Sequence, residues 1–291
     1  MKIELVKTQF ERYYEITPNG KKEGVKCPSV TQVVAYHEDK KFLEDWKNRN
    51  PLKADKTSSS ARMRGTRIHQ ALYYYHTDIA KFTQTVEKFS EEDTKYLQGY
   101  NSLLEVTINR PPYLETKVAY LDPETERGFG GKLDNVSVLK TTEFVYYKTS
   151  KQVFKNPEEL FIIDYKNPTK AKKPEHLISY CLQLAAYTAA FNFSTLLTWR
   201  ANKALLVIVS PKMTTYYYLS PEKLSKYWGL YKQLLEGYYA KRKVNWTKLK
   251  EELGVFEDER GYPRIATHNF LPDRIELKKQ EIIEEEELLY V

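Results

Sequence analysis

Hydrophobic spacing divides the chain into segments of different period. Ile68, Ala71, Leu72 and Tyr75 fall at i, i+3, i+4 and i+7, which predicts a helix over 61–75. Tyr96, Leu97, Tyr100, Leu103 and Leu104 form a second stripe, and Ser90-Glu91-Glu92-Asp93 before it has the form of a capping box. Another helix is expected from Val30, capped by Ser29 or Thr31, and a more charged one over 39–48. Residues 50–60, with Pro51, several lysines and Ser58-Ser59-Ser60, read as a loop. Before all of these, 10–16 reads as a strand and Pro18-Asn19-Gly20 as a turn.

The pattern then changes to extended runs. Residues 114–121, 128–139, 142–147 and 160–166 read as strands. A helix is expected over 174–191, then a strand pair, 204–209 and 214–219, then a helix over 221–239 with Ser220 as cap and Pro221 at its first position. From Arg242 onward no clear period emerges, and no internal repeat is found. This order predicts an α/β fold: a central mixed β-sheet flanked by helices, with an N-terminal helical insertion. The expected division is a strand and helical region over 1–110, a core over 111–240 and an extension over 241–291.

Charge narrows the partners. The net charge of +7 favours a polyanion, although it is also an ordinary solubility device. The 24 tyrosines offer rings for base stacking and hydroxyls for phosphate, while packing accounts for any single one of them more readily. Two cysteines with no Cys-x-x-Cys pair exclude a four-cysteine zinc site or iron–sulfur cluster. Cys181 is expected to be a buried thiol, which suits a reducing, cytoplasmic compartment. The N-terminus does not read as a signal peptide, and no run of about 18 apolar residues predicts a membrane span.

The candidate chemistry lies at the end of a strand. Asp164 and Lys166 close the apolar run Leu160-Phe161-Ile162-Ile163, and alternate residues of a strand share a face. With Asp134 as a second carboxylate and Glu115 as a further one, this is the equipment of metal-assisted phosphodiester hydrolysis. Magnesium takes oxygen ligands, here Asp134, Asp164, Glu115 and the Tyr165 carbonyl, and Lys166 is placed to orient water or stabilise the phosphorus centre. His69, on the helix that carries Arg62, Arg64 and Arg67, is a ligand that manganese accepts more readily. Gln183 and Tyr187 share a helix face, with Tyr180 a turn earlier, and border the site as substrate contacts. Arg67 and Lys170, the latter in a basic run with Lys172 and Lys173, are candidate phosphate contacts. Each feature also has a plainer reading: a surface ion pair, a structural histidine, an amphipathic core helix, a solvated loop.

Taken in order, Gly65-Thr66-Arg67-Ile68-His69, Gly131-Lys132-Leu133-Asp134, Asp164-Tyr165-Lys166 and Gln183-Leu184-Ala185-Ala186-Tyr187 resemble the motifs of the PD-(D/E)xK nuclease superfamily, in its RecB-like exonuclease branch. Cys27-Pro28-Ser29-Val30-Thr31 also looks like the opening segment of the mitochondrial genome maintenance exonuclease type. The resemblance spans about 27–210 and implies a restriction-endonuclease-like core, magnesium or manganese dependence and cleavage of DNA. The proline of the family's first element is replaced by Gly131-Lys132-Leu133, and two cysteines direct the comparison to members without an iron–sulfur cluster. The implied activity is that of a DNA exonuclease preferring single strands with free ends, in replication, repair or recombination. A stand-alone enzyme is expected, in the host cytoplasm if phage-encoded. A structure-specific endonuclease on the same fold and a non-catalytic nucleic-acid binder remain open. The acidic tail, 281–291, reads as a solvated end or as a peptide that docks on a replication or recombination partner.

Overall fold

Three short strands open the chain: β1 (Lys2–Lys7), β2 (Arg12–Thr17) and β3 (Val25–Cys27) form an antiparallel sheet in that order. The computed structural model describes residues 1–9, 11–38, 41–106, 113–139, 144–153, 159–169, 172–194, 200–260 and 262–277. Lys170 and the tail at 281–291 therefore lie outside the described residues.

Helix α1 (Val30–His37) starts where expected. The Ser29 hydroxyl accepts from the Gln32 N–H, and the Gln32 side chain accepts from the Ser29 N–H at 2.7 Å, a reciprocal cap. After α2 (Lys41–Arg49) comes the main departure from the sequence reading. Residues 50–60 are not a loop but the first turns of α3 (Pro51–Thr77), which is 27 residues long. Pro51 sits at the start, where its fixed φ favours a helix, and no glycine or proline interrupts the lysines and serines that follow. The shorter helices α4 (Ile79–Val86), α5 (Glu91–Gln98) and α6 (Asn101–Val106) complete this region. Ser90 caps α5 through the Asp93 N–H, but the Asp93 carboxylate goes to Arg67 rather than back to the cap.

The remaining elements build the centre. They are β4 (Tyr113–Leu121), β5 (Gly128–Val138), β6 (Phe144–Tyr146), β7 (Leu160–Lys166), α7 (Ile178–Ser194), β8 (Ala201–Ser210), β9 (Met213–Leu219) and α8 (Pro221–Tyr239). Then come α9 (Trp246–Glu252), the hairpin of β10 (Val255–Glu257) and β11 (Pro263–Ile265), and β12 (Asp273–Leu277). Seven strands form one mixed sheet in the order β4-β5-β7-β8-β9-β12-β6. Among the described strands only β7 and β8 pair in parallel, joined by the crossover helix α7. Strand β12 comes from the region without readable period, yet it sits inside the sheet, hydrogen-bonded to β9 and β6. The fold is thus α/β, a central mixed sheet with helices on both faces.

Each face has its own core. Ile162, Leu206 and Tyr217 pack with α1, α7 and α8. Phe161, Ile163 and Tyr165 pack with Ile68 and Leu72 of α3 and with Tyr96 and Tyr100. Strand β7 is therefore buried on both sides, which explains why it reads as a continuous apolar run. Cys27 and Cys181 are both buried free thiols. Among the described residues no helix is long and apolar enough to cross a membrane.

Candidate active site

The site forms where β7 ends between β5 and α7. Alternation on β7 puts Leu160 and Ile162 on the α7 face and Phe161, Ile163 and Tyr165 on the α3 face. Asp164 and Lys166 accordingly share the α7 face, and the ammonium is ion-paired with Asp164 Oδ2. The Lys166 ammonium also lies 5.3 Å from the centre of the Tyr180 ring. Tyr96 and Tyr100 fix the chain beyond the strand. Their hydroxyls donate to the Pro168 carbonyl at 3.2 Å and to Asn167 Oδ1 at 2.8 Å.

Strands β4 and β5 supply the other two carboxylates through an irregularity. On β5, Phe129 and Leu133 point to the α7 core, but so does Val136, so the inside–outside alternation changes parity between 133 and 136. On β4, Val118 belongs to that core and Tyr113 packs against it, so parity changes there too. Both breaks fall around Glu115 and Asp134, and Glu115 has a left-handed backbone, φ 47°. A non-glycine residue in that region costs of the order of 1–3 kcal/mol, a strain that tends to be kept at functional positions.

The result is a tight cluster with α3. His69 Nδ1 lies 3.2 Å from Asp134 Oδ1 and 3.7 Å from Glu115 Oε1. Ligand atoms of His69, Glu115 and Asp134 all fall within 4.8 Å of one another, the one such group among the described residues. Lys132 is ion-paired with Glu115 Oε2. The Tyr165 N–H donates to Asp134 Oδ2 at 2.8 Å, locking the carboxylate to β7. Tyr165 thus acts through its amide, while its hydroxyl accepts from Asn135 Nδ2 on the other side of the sheet.

Electrostatics follow from burial and proximity. Burial disfavours the His69 cation, but Asp134 and then Glu115 outweigh it and raise the imidazole to about 10. Burial pushes Asp134 up, yet His69 and Lys166 bring it below the ordinary carboxylate range. For Asp164 burial prevails over the Lys166 ammonium, helped by the Asp134 charge, and its carboxyl rises to about 6. Lys166 is buried enough to lower its pKa, but Asp164 and Asp134 raise it above the usual value, so it stays an ammonium at neutral pH. Three carboxylates, Glu115, Asp134 and Asp164, are thereby faced by three cations, His69, Lys132 and Lys166.

Glycines let the surrounding rings close in. A Cβ on Gly130 would collide with the Tyr14 ring, and one on Gly131 with the Tyr187 ring. Tyr187 is thus packed against the strand that carries Asp134, and the Asp164 and Asp134 charges add to burial in raising its hydroxyl pKa. Gln183 lies one turn earlier on α7, half-buried. Arg67 is placed differently from the phosphate contact expected of it. Its Nε and Nη2 bind both oxygens of buried Asp93, at 2.9 and 3.0 Å, tying α3 to α5.

A cleft of about 640 Å³ opens over the cluster, lined by Arg62, Gly65, His69, Gln70, Tyr73, Glu115, Lys132 and Asp134 among others. Arg62, Gln70, Tyr73, Tyr74 and Lys132 were not among the candidate site residues. Following the His69 face along α3 finds Arg62 and Tyr73, since 62, 66, 69 and 73 recur at helical spacing.

No protein-family model and no curated protein matches the chain. Among solved structures it is similar to the crystal structure of SSO0001, at 12% identity over 73% of this chain and 74% of that one, with a TM-score of 0.36.

Proposed function

We propose that the protein is a metal-dependent deoxyribonuclease of the RecB-like PD-(D/E)xK type, an exonuclease acting on single strands with free ends. One observation carries this reading. Three ligand atoms from α3, β4 and β5 converge within 4.8 Å, beside a buried carboxylate–ammonium pair at the end of β7.

The donor set fits a hard divalent ion. Carboxylate oxygens with a single imidazole and no sulfur suit magnesium or, better, manganese. Asp134, Glu115 and His69 would hold it, with Asp164 beside them. When bound, it supplies Lewis-acid polarisation of the phosphate and a more acidic water. The chain's own groups do the rest. The Tyr165 amide keeps Asp134 in one orientation. Lys166, a permanent cation near Asp164, neutralises charge that grows on the phosphate during displacement. Lys132 and Arg62 draw the polyanion into the cleft. A divalent ion in place of the His69 proton changes the balance of three charges against three to a net charge of +1, which suits a phosphodiester.

The test is degradation of end-labelled linear single-stranded DNA in manganese, with circular single-stranded DNA in parallel. Loss of the linear strand alone supports the exonuclease. Equal loss of both makes it an endonuclease. Survival of both, with DNA still bound, leaves a nucleic-acid binder.

A further inference from the structure

Gly65 is an unusual residue for its place. It lies in the interior of the 27-residue helix α3, where glycine is the poorest helix former after proline. Its φ is not in the left-handed region, which only Gly20 and Gly254 occupy among the described glycines, so the backbone does not demand it. Nor does packing, because a Cβ built there meets no atom within 4 Å. Gly130 and Gly131 are explained by rings of this protein, whereas Gly65 is not explained by the protein at all. It does line the cleft, one turn before His69.

The neighbouring charges say what would come close. Of the three arginines here, Arg64 pairs with Glu92 and Arg67 with Asp93. Arg62 is exposed, lines the cleft and makes no ion pair among the described residues. It sits one turn before Gly65, about 4.5 Å along the axis at 1.5 Å per residue. On the far side of His69, Tyr73 and Tyr74 present neighbouring rings, 5.7 Å apart and tilted, with Tyr73 36% exposed.

We propose that Gly65 is a substrate-contact position: the bare helix surface between Arg62 and His69 admits a phosphodiester backbone at van der Waals distance. A single strand then lies along α3, with a phosphate on Arg62, the next over Gly65 and His69, and unstacked bases against Tyr73 and Tyr74. The substrate class is single-stranded nucleic acid, because ring stacking needs bases free of a duplex. This rests on the nuclease reading of the same cleft. Gly229 in α8 provides the comparison, since it too is mid-helix with open space around a Cβ but does not line this cleft.

The test uses the full chain, a fluorescein-labelled single-stranded oligodeoxynucleotide and anisotropy in EDTA, with Tm and Mn²⁺ affinity measured beside it. Gly65→Ala and Gly229→Ala should each raise Tm, by roughly 2–3 °C, because alanine favours a helix and nothing blocks it. Both should bind Mn²⁺ as the wild type does. Only Gly65→Ala should weaken oligonucleotide binding, by at least about fivefold, and Gly65→Leu more. Arg62→Gln should lower the slope of log affinity against log salt by about 0.7, one phosphate contact on a single strand. If Gly65→Ala binds within twofold of a wild type that does bind, the substrate path is wrong and the nuclease reading survives. If the wild type neither binds nor cleaves the oligonucleotide, the nuclease reading falls and the path falls with it.

Discussion

Glu115 and Asp134 occupy facing positions on neighbouring strands, between the rungs Leu114–Asn135 and Thr116–Leu133, and both reach the same imidazole of His69. Regular strands passing through this point would keep one parity. Here both strands change parity around it, and the left-handed φ of 47° at Glu115 marks the kink. The kink lets the strand segments on either side of Glu115 and Asp134 both pack on the α7 core while these two residues turn to His69.

That strain should be measurable. Glu115→Gly removes it, because glycine enters the left-handed region freely. The ion pair lost with Lys132 is half-exposed on the lysine side and contributes little, and His69, 3.7 Å from Glu115, keeps its nearer partner Asp134 at 3.2 Å. The metal-free variant should be as stable as the wild type or up to ~1 kcal/mol more so, by urea denaturation. Its Mn²⁺ affinity should fall at least about tenfold, or ~1.4 kcal/mol. A variant clearly less stable than the wild type without metal would mean that Glu115 contributes to the fold and not against it.

The titrating groups set a pH dependence for metal binding. Asp134 and then Glu115 lift His69 to about 10 against burial and the Lys166 charge, so in the metal-free protein this proton stabilises the fold fully below pH 6.5 and the benefit fades as pH rises towards 10. Burial lifts Asp164 to about 6, so its ionisation costs stability above that pH and nothing below the ordinary carboxylate range. A ligand must shed its proton before it binds metal. Log affinity for Mn²⁺ should therefore climb by about one per pH unit between pH 6.5 and 8.5 and more steeply below pH 6. Titrations at several pH values check this, and His69→Ala should flatten the upper limb. Affinity independent of pH over 6.5–8.5 would remove His69 from the ligand set.

Arg67 separates fold from function on α3. Asp93, its partner, is buried, with a side chain 4% exposed. Truncation strands that carboxylate beside the N-terminus of α5, whose Ser90 cap and helix dipole soften the loss. Arg67→Ala should destabilise the protein by roughly 1–3 kcal/mol, while single-stranded DNA affinity changes less than twofold in folded protein. A large drop in DNA affinity with unchanged stability would return Arg67 to the substrate contacts.

These contrasts show what the chain discloses in one dimension. The pairing of Asp164 with Lys166 was legible because β7, unlike β4 and β5, keeps one alternation from Leu160 to Tyr165, and α7 closes over the face they share. His69, Glu115 and Asp134 stand together among the candidate ligands in the sequence, but the geometry that joins them does not, since it depends on a kink at Glu115 that no propensity marks. Arg67 looked like a phosphate ligand because its charge is visible in the sequence, and its partner, 26 residues on in another helix, is not. Residues 50–60 have the polar composition of a loop and fold as helix because nothing in them breaks one. Strand β12 escaped reading since Ile275 is its one buried residue, too short a signal for a period.

Lys166 brings stability and chemistry into one experiment. Asp164 is 4% exposed and the ammonium is its ion-pair partner, so Lys166→Ala leaves a carboxylate in a poorly hydrated place. Burial already favours its neutral form, and without the lysine its pKa rises further. The variant should lose on the order of 3 kcal/mol of stability at pH 8 and much less at pH 5, where Asp164 holds its proton in both proteins. Mn²⁺ should bind the variant at least as tightly as the wild type, because one cation has left the neighbourhood of the ligands. DNA hydrolysis should nevertheless fall by roughly 10²–10³-fold or more, the scale for removing one charge-stabilising donor. Stability and turnover would then fall while metal binding holds or tightens, a pattern that misfolding alone cannot produce. If hydrolysis persists in Lys166→Ala near the wild-type rate, the ammonium only balances Asp164, and the charge on the phosphate must be met elsewhere in the cleft, with Arg62 and Lys132 the remaining cations to test.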